Sequence, residues 1–255
     1  MSGQEINNIG KNYIGKSLID RLSYACSFIL GPILASIGSR DDFRHKDDWN
    51  DPAPWENRSW RSKIPTALPV SISMAIIAIC VFVSLLKLIA PGFVDGYLTL
   101  NPVYVMQRPW TLITHMFVHA NFDHLFWNML VLFFFGTELE KRVGETRFFE
   151  IYMISGLAAA LGQMLVSTGT LLGASGAIYG VLGCLAIIAP EIRILLFFII
   201  PLKIQHAVVL FAFMDFLMMG TGDSIAHAAH LTGLLVGLAF GYMMRNQPQV
   251  YYNYR

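Results

Sequence analysis

Residues 173–190, GASGAIYGVLGCLAIIAP, and 224–244, SIAHAAHLTGLLVGLAFGYMM, carry no Lys, Arg, Asp or Glu in 39 positions between them. A helix crosses the hydrocarbon of a bilayer with about 20 apolar residues, and both stretches have that length and character. Their glycines recur at helical spacing: Gly176, Gly180 and Gly183 in the first, Gly233, Gly237 and Gly241 in the second. Such a stripe removes side chains from one helix face and lets another backbone approach closely. The pattern predicts two neighbouring transmembrane helices pressed together along glycine.

The rest of the chain agrees. It has 255 residues, 55% of them apolar and 14% charged, with a mean hydropathy of +0.53. Soluble domains run near 45–50% apolar and about 25% charged. About half of the 18 basic and 17 acidic residues lie before position 70, which leaves the remainder too poor in charge to solvate a globular surface. A soluble enzyme, a disordered chain and a fibrous protein are excluded, and an all-α polytopic membrane protein is expected. The net charge of +1 gives no reason to expect a nucleic-acid partner. Cys26, Cys80 and Cys184 have no zinc spacing and form no disulfide framework; they read as buried thiols.

Six spans are expected, at 66–86, 122–137, 151–172, 173–190, 203–219 and 224–244, forming a bundle over residues 66–245. Residues 1–65 read as a cytoplasmic N-terminal segment with an interfacial or re-entrant helix at 23–39, the alternative being a seventh span that would put the extreme N-terminus outside, and a solvated linker at 40–63. Residues 246–255 read as a cytoplasmic tail. The run 194–201 is apolar but too short to cross, and is expected to lie buried in protein or at the interface. Basic residues support this count: Arg58, Arg61, Lys63, Lys141, Arg142, Arg147, Arg193, Lys203 and Arg245 all fall inside if both termini are cytoplasmic. Without an apolar signal segment or organelle-targeting presequence, the expected location is a prokaryotic cell membrane.

Polar groups within spans are costly and mark function. His115, His119, His124, His227 and His230 sit at the outer ends of spans, and Asn128 lies one turn after His124 on the same face. Ser175 falls in the first turn of its helix, where backbone N–H groups lack intrahelical acceptors and the helix dipole is positive. That is a place to hold an oxyanion beside an attacking hydroxyl. Counted from the span ends, His230 lies within about one turn, roughly 5 Å, of the depth of Ser175. A hydroxyl hydrogen-bonded to an imidazole is the minimum for nucleophilic catalysis. Asp215, in the middle of the fifth span, is expected to be a structural hydrogen-bonding group. Asp223 is expected to be solvated in a loop, and neither to complete a triad.

The run THMFVHANFDHLFWN (114–128), GASG with Tyr179 four residues after the serine, AHLTGLLVG (229–237) and Glu140-Lys141-Arg142 together resemble the rhomboid family of intramembrane serine proteases. The resemblance spans about residues 66–245 and implies a six-span fold. It implies Ser175 as nucleophile and His230 as general base and acid, in a dyad without an acidic third member. His124 and Asn128 would donate to the oxyanion, Tyr179 would pack on the His230 ring, His119 would be a structural hydrogen-bonding residue and Gly173 would give room for close approach. His115 receives no role. Many members carry Trp-Arg before the first histidine; here Trp110 is followed by Thr111, which leaves the Arg-based packing of the first outer loop in doubt.

The implied substrates are transmembrane proteins whose helices unwind near the outer face, entering from the lipid bilayer by a gate between the second and fifth spans. No cofactor or metal is expected. A histidine-rich metal or haem protein and an inactive relative that binds transmembrane helices are the competing readings. The first lacks a His-Glu-x-x-His or an acid within helical reach of paired histidines.

Overall fold

The computed structural model describes residues 71–196, 199–219 and 225–246. The expectations for residues 1–65, for the interfacial segment at 23–39, for Cys26 and Asp223 and for residues beyond 246 lie outside them. The described chain is mostly helical. Helix α1 (Ile72–Ile89) is an apolar run that Pro91 ends, and Pro91 then opens the short helix α2 (Pro91–Tyr97) at a position where its missing N–H costs nothing. A loop with a 3-10 turn at Pro102–Tyr104 leads to α3 (Thr111–Thr114) and a second 3-10 turn at His115–Phe117.

Helix α4 (Phe122–Val131) passes through a π-helical turn at Leu132–Gly136 into α5 (Thr137–Val143). The helix therefore runs six residues past the expected end at 137. Arg142 ion-pairs with Glu138 one turn before it at 2.8 Å, a spacing that supports helix, and Gly144, at φ 82°, stops it. Helix α6 (Glu145–Val166) follows at once. It begins and ends about six residues before the expected 151–172, because Ser167 turns extended and Leu171 instead pairs with Leu100 in an isolated β-bridge. Helices α7 (Ser175–Ile188), α8 (Ile204–Met218) and α9 (His227–Met244) complete the bundle.

The all-α expectation needs one correction. The run at 194–201 folds as an antiparallel hairpin, β1 (Arg193–Leu196) with β2 (Ile200–Lys203), in the register Arg193 to Lys203 and Leu196 to Ile200. Pro201, within β2, lacks the N–H that a helix interior would require, and the Ile-rich composition suits a strand. Leu195, Ile199 and Ile200 are exposed, so of the two expected settings, buried in protein or at the interface, these side chains do not have the first.

Three helices, α1, α6 and α9, are long and apolar enough to cross a membrane; α7 and α8 are apolar but shorter. The core lies among α6, α7 and α9, around Phe148, Ile151, Tyr152, Val181 and Leu185. The outside is apolar too, with Phe82, Leu88, Val209 and Phe216 exposed. Cys80 and Cys184 are free and buried. Glu140, almost fully buried, accepts from the backbone N–H of Ile72 at 2.7 Å and of Ser73 at 2.9 Å, and from the Ser71 hydroxyl at 2.7 Å. It thus caps the first turn of α1, where a carboxylate satisfies orphan donors and complements the dipole.

The glycine stripes meet. A methyl group on Gly233 would lie 2.0 Å from the Gly176 carbonyl oxygen, and one on Gly237 would lie 1.9 Å from that of Gly180. Backbone faces backbone, so α7 and α9 cannot admit even an alanine without moving apart. Gly237→Ala is expected to destabilise the protein by about 1–3 kcal/mol and to depress any activity that depends on both helices. Gly92→Ala, which meets nothing within 4 Å, is the control; thermal unfolding in detergent micelles compares them, and equal melting temperatures contradict the packing argument.

Candidate active site

Two residues before the start of α7, the carbonyl of His115 accepts the Gly173 N–H at 2.9 Å. His115 itself is buried and donates from Nδ1 to the Thr111 carbonyl at 3.0 Å. This residue, given no role by the sequence, ties the 111–117 turn to the approach to Ser175. Gly173 sits at φ +115°, which L side chains rarely adopt, and a Cβ there would lie 2.8 Å from Cε1 of His124. Glycine is thus required twice, for the turn and for the ring beside it.

Ser175 opens α7, and its Oγ lies 2.8 Å from Nε2 of His230. Tyr179, one turn further along α7, stacks its ring on the imidazole with centroids 4.3 Å apart and planes 11° from parallel. A cavity of about 520 Å³ opens over the pair, lined among others by His124, Asn128, Leu172 and Ala226. The Ala120 N–H donates to His124 Nδ1 at 3.4 Å, which leaves the ring proton on Nε2. Asn128 Nδ2 donates one hydrogen to the His124 carbonyl at 2.7 Å and keeps a second. Two side-chain donors therefore stand in the same cavity as the hydroxyl.

Asp215 is hydrogen-bonded as expected but lies elsewhere: in the last turn of α8, not the middle of a span, with its Oδ1 3.0 Å from Nδ1 of His230 and 2.6 Å from Nδ1 of His227. Asp215 and His227 side chains are each 6% exposed. The sequence reading missed His227 as a partner altogether. These ligand-type atoms of Asp215, His227 and His230 lie within 4.8 Å of one another, so an acid does meet paired histidines, across helices rather than along one. As placed, both ring nitrogens aim at a single carboxylate oxygen, the geometry of hydrogen bonds.

His119 also differs from its expected role. It is buried, and neither ring nitrogen finds a hydrogen-bond partner among the described residues; its contact is edge-on to His124, with centroids 5.1 Å apart. In the outer loop, Arg108, three residues before Thr111, makes the arginine contacts observed. It bonds to the Gly96 carbonyl and lies 4.6 and 5.6 Å from the ring centroids of Tyr97 and Tyr104, while Trp110 donates to the Tyr97 carbonyl at 2.8 Å.

A family model described as Rhomboid domain matches residues 106–247. The chain belongs to the rhomboid family. Rhomboid protein 1, mitochondrial, of Saccharomyces cerevisiae is 36% identical over 160 residues, 59% of this chain and 46% of that one. Two rhomboid proteases named GlpG are similar as well. That of Haemophilus influenzae is 29% identical over 176 residues, 68% of this chain and 90% of the relative. That of Yersinia enterocolitica is 26% identical over 211 residues, 74% and 72%. The chain spans about half the length of the two mitochondrial-named relatives, the yeast protein and an Arabidopsis thaliana one. With its apolar helices, this rhomboid is an integral membrane protein.

Burial holds the His115 ring well below the usual histidine pKa, at about 4. His119 is likewise lowered to about 4, by burial first and then by the positive influence of His124 and Lys87. Unfolded histidines titrate near 6.5. As pH falls below about 6.5 the unfolded chain takes up protons that the folded one refuses, so stability present above that pH is lost towards pH 4. The melting temperature is expected to fall from pH 7 to 5, and to fall less in His115→Gln. Identical slopes in the two proteins contradict a neutral, buried His115.

Proposed function

We propose that this rhomboid is an intramembrane serine endopeptidase that cleaves transmembrane proteins. The observation that carries the reading is the 2.8 Å contact between Ser175 Oγ and His230 Nε2 at the foot of a cavity that also holds His124 and Asn128. His230 takes the hydroxyl proton as Ser175 attacks the scissile carbonyl. The oxyanion is met by His124 Nε2–H, the free Asn128 Nδ2–H and the Ser175 backbone N–H at the positive end of α7. His230 then protonates the departing amine, and water delivered through the cavity hydrolyses the acyl-enzyme. Tyr179 fixes the plane of the imidazole and Gly173 seats His124.

The proposed arrangement has six spans with both ends cytoplasmic, and cleavage near the outer face. Substrate helices enter between the helix formed by α4 and α5 and helix α8, which packs on α7 and α9 and exposes Val209, Phe213 and Leu217. Helix-breaking residues favour cleavage, because a peptide bond in a stable helix is hidden by its hydrogen bonds. The membrane proposed from the sequence is a prokaryotic inner membrane. The likeness to the yeast mitochondrial protein favours an organellar membrane as a second reading.

Cleavage of a single-span model substrate in proteoliposomes is the test. Ser175→Ala is expected to abolish turnover, and Asn128→Ala to lower kcat about 10²–10³-fold. Chelators should leave activity intact, and a fluorophosphonate should label wild type but not Ser175→Ala. Undiminished cleavage by Ser175→Ala ends the serine-protease reading; chelator-sensitive cleavage moves the chemistry to a metal.

A further inference from the structure

The family resemblance implies a two-residue catalytic unit, yet the ring nitrogen of His230 that faces away from Ser175 is occupied. We propose that Asp215 is a positioning residue for His230, held in place by His227, so that the Ser175–His230 pair works within a hydrogen-bonded chain that continues through Asp215 to His227. The inference rests on the protease reading above and deepens it.

The argument is one of donors and acceptors. A carboxylate oxygen only accepts, so the 3.0 Å contact to Asp215 Oδ1 places a proton on His230 Nδ1. His230 Nε2 then holds a lone pair and lies 2.8 Å from the serine hydroxyl, the tautomer a general base needs. When Nε2 takes the Ser175 proton, the imidazolium carries its positive charge against a carboxylate that keeps its negative charge. No proton passes to Asp215, and the Nε2 proton goes on to the amine nitrogen of the broken peptide bond. Stacking on Tyr179 fixes the ring plane but cannot tell one tautomer from the other; the hydrogen bond to Asp215 can.

His227 holds the carboxylate in place. A carboxylate this buried is costly unless hydrogen-bonded; Oδ2 finds no hydrogen-bond partner among the described residues, so Asp215 is anchored through Oδ1, where the His227 Nδ1–H donates at 2.6 Å to the same oxygen that faces His230. It keeps that oxygen aimed between the two rings, 6.4 Å apart and nearly perpendicular. The three side chains come from α8 and α9, so the arrangement forms only when the end of α8 is docked against the start of α9.

The test uses the full chain in liposomes with the single-span substrate, together with nitrogen-15 NMR of labelled histidines in detergent micelles. Asp215→Asn keeps the shape and removes the charge. It is expected to lower kcat by about 10²–10⁴-fold with KM within twofold and an unchanged melting temperature. The proton on His230 is expected on Nδ1 in wild type and redistributed towards Nε2 in the variant. Wild-type kcat in folded Asp215→Asn overturns the proposal, as does a fall in kcat that merely follows a fall in melting temperature. So does a wild-type His230 protonated on Nε2 alone. Should wild type and Ser175→Ala prove equally inactive, the protease reading falls, and the tautomer of His230 still decides this inference.

Discussion

Everything at the candidate site depends on two helices touching through their backbones. Ser175 and His230 belong to different helices, and a hydroxyl-to-imidazole contact of 2.8 Å tolerates little error in the distance between axes. Ordinary side chains keep helices 8–10 Å apart. Gly176 and Gly180 against Gly233 and Gly237 remove that spacer, and the gain comes from close van der Waals packing, the force available where lipid is as apolar as the protein. The same absence of side chains serves two ends: it fixes the bundle and sets the reach of the serine.

Polar groups are arranged around that contact as a small number of closed accounts of donors and acceptors. Glu140 satisfies the first turn of α1, His115 holds Gly173, Ala120 sets the tautomer of His124, and Asp215 Oδ1 accepts from the Nδ1–H groups of His227 and His230 on α9. In apolar surroundings an unmatched polar atom is expensive, so each pairing constrains position as well as contributing stability. Among the described residues, His119, the hydroxyls of Ser84, Tyr152 and Ser155, and Asp215 Oδ2 are exceptions without a hydrogen-bond partner, and the His119 ring instead backs the ring of His124.

Much of this was legible in the sequence because the signals were periodic. Glycine spacing announced the α7–α9 contact, and the first-turn position of Ser175 followed from the start of an apolar run. Asp215 was misread for an instructive reason. Its span was treated as a stretch of hydropathy with an interruption, although counting back from Met219 puts the acid near the same end of the bundle as Ser175 and His230. The bonds to His227 and His230 join residues 12 and 15 apart on different helices, and no single-helix spacing rule finds them. The hairpin at 193–203 was missed because hydropathy reports burial in lipid and in protein alike, while only Pro201 pointed to extended backbone. Gly144 and Ser167, which set the true ends of α5 and α6, act through φ angles that an apolar window does not sense.

The length of α7 carries a final consequence. Fourteen residues make a rod of about 21 Å, against a hydrocarbon layer of about 30 Å. Were its Ile188 end level with one boundary of that layer, the serine end would stop roughly 9 Å short of the other. On the protease reading proposed above, the missing turns would act as a depth gauge: the bond cut would be one drawn below the lipid headgroups, chosen by how far a partner helix can be pulled open at that level rather than by what it displays in water.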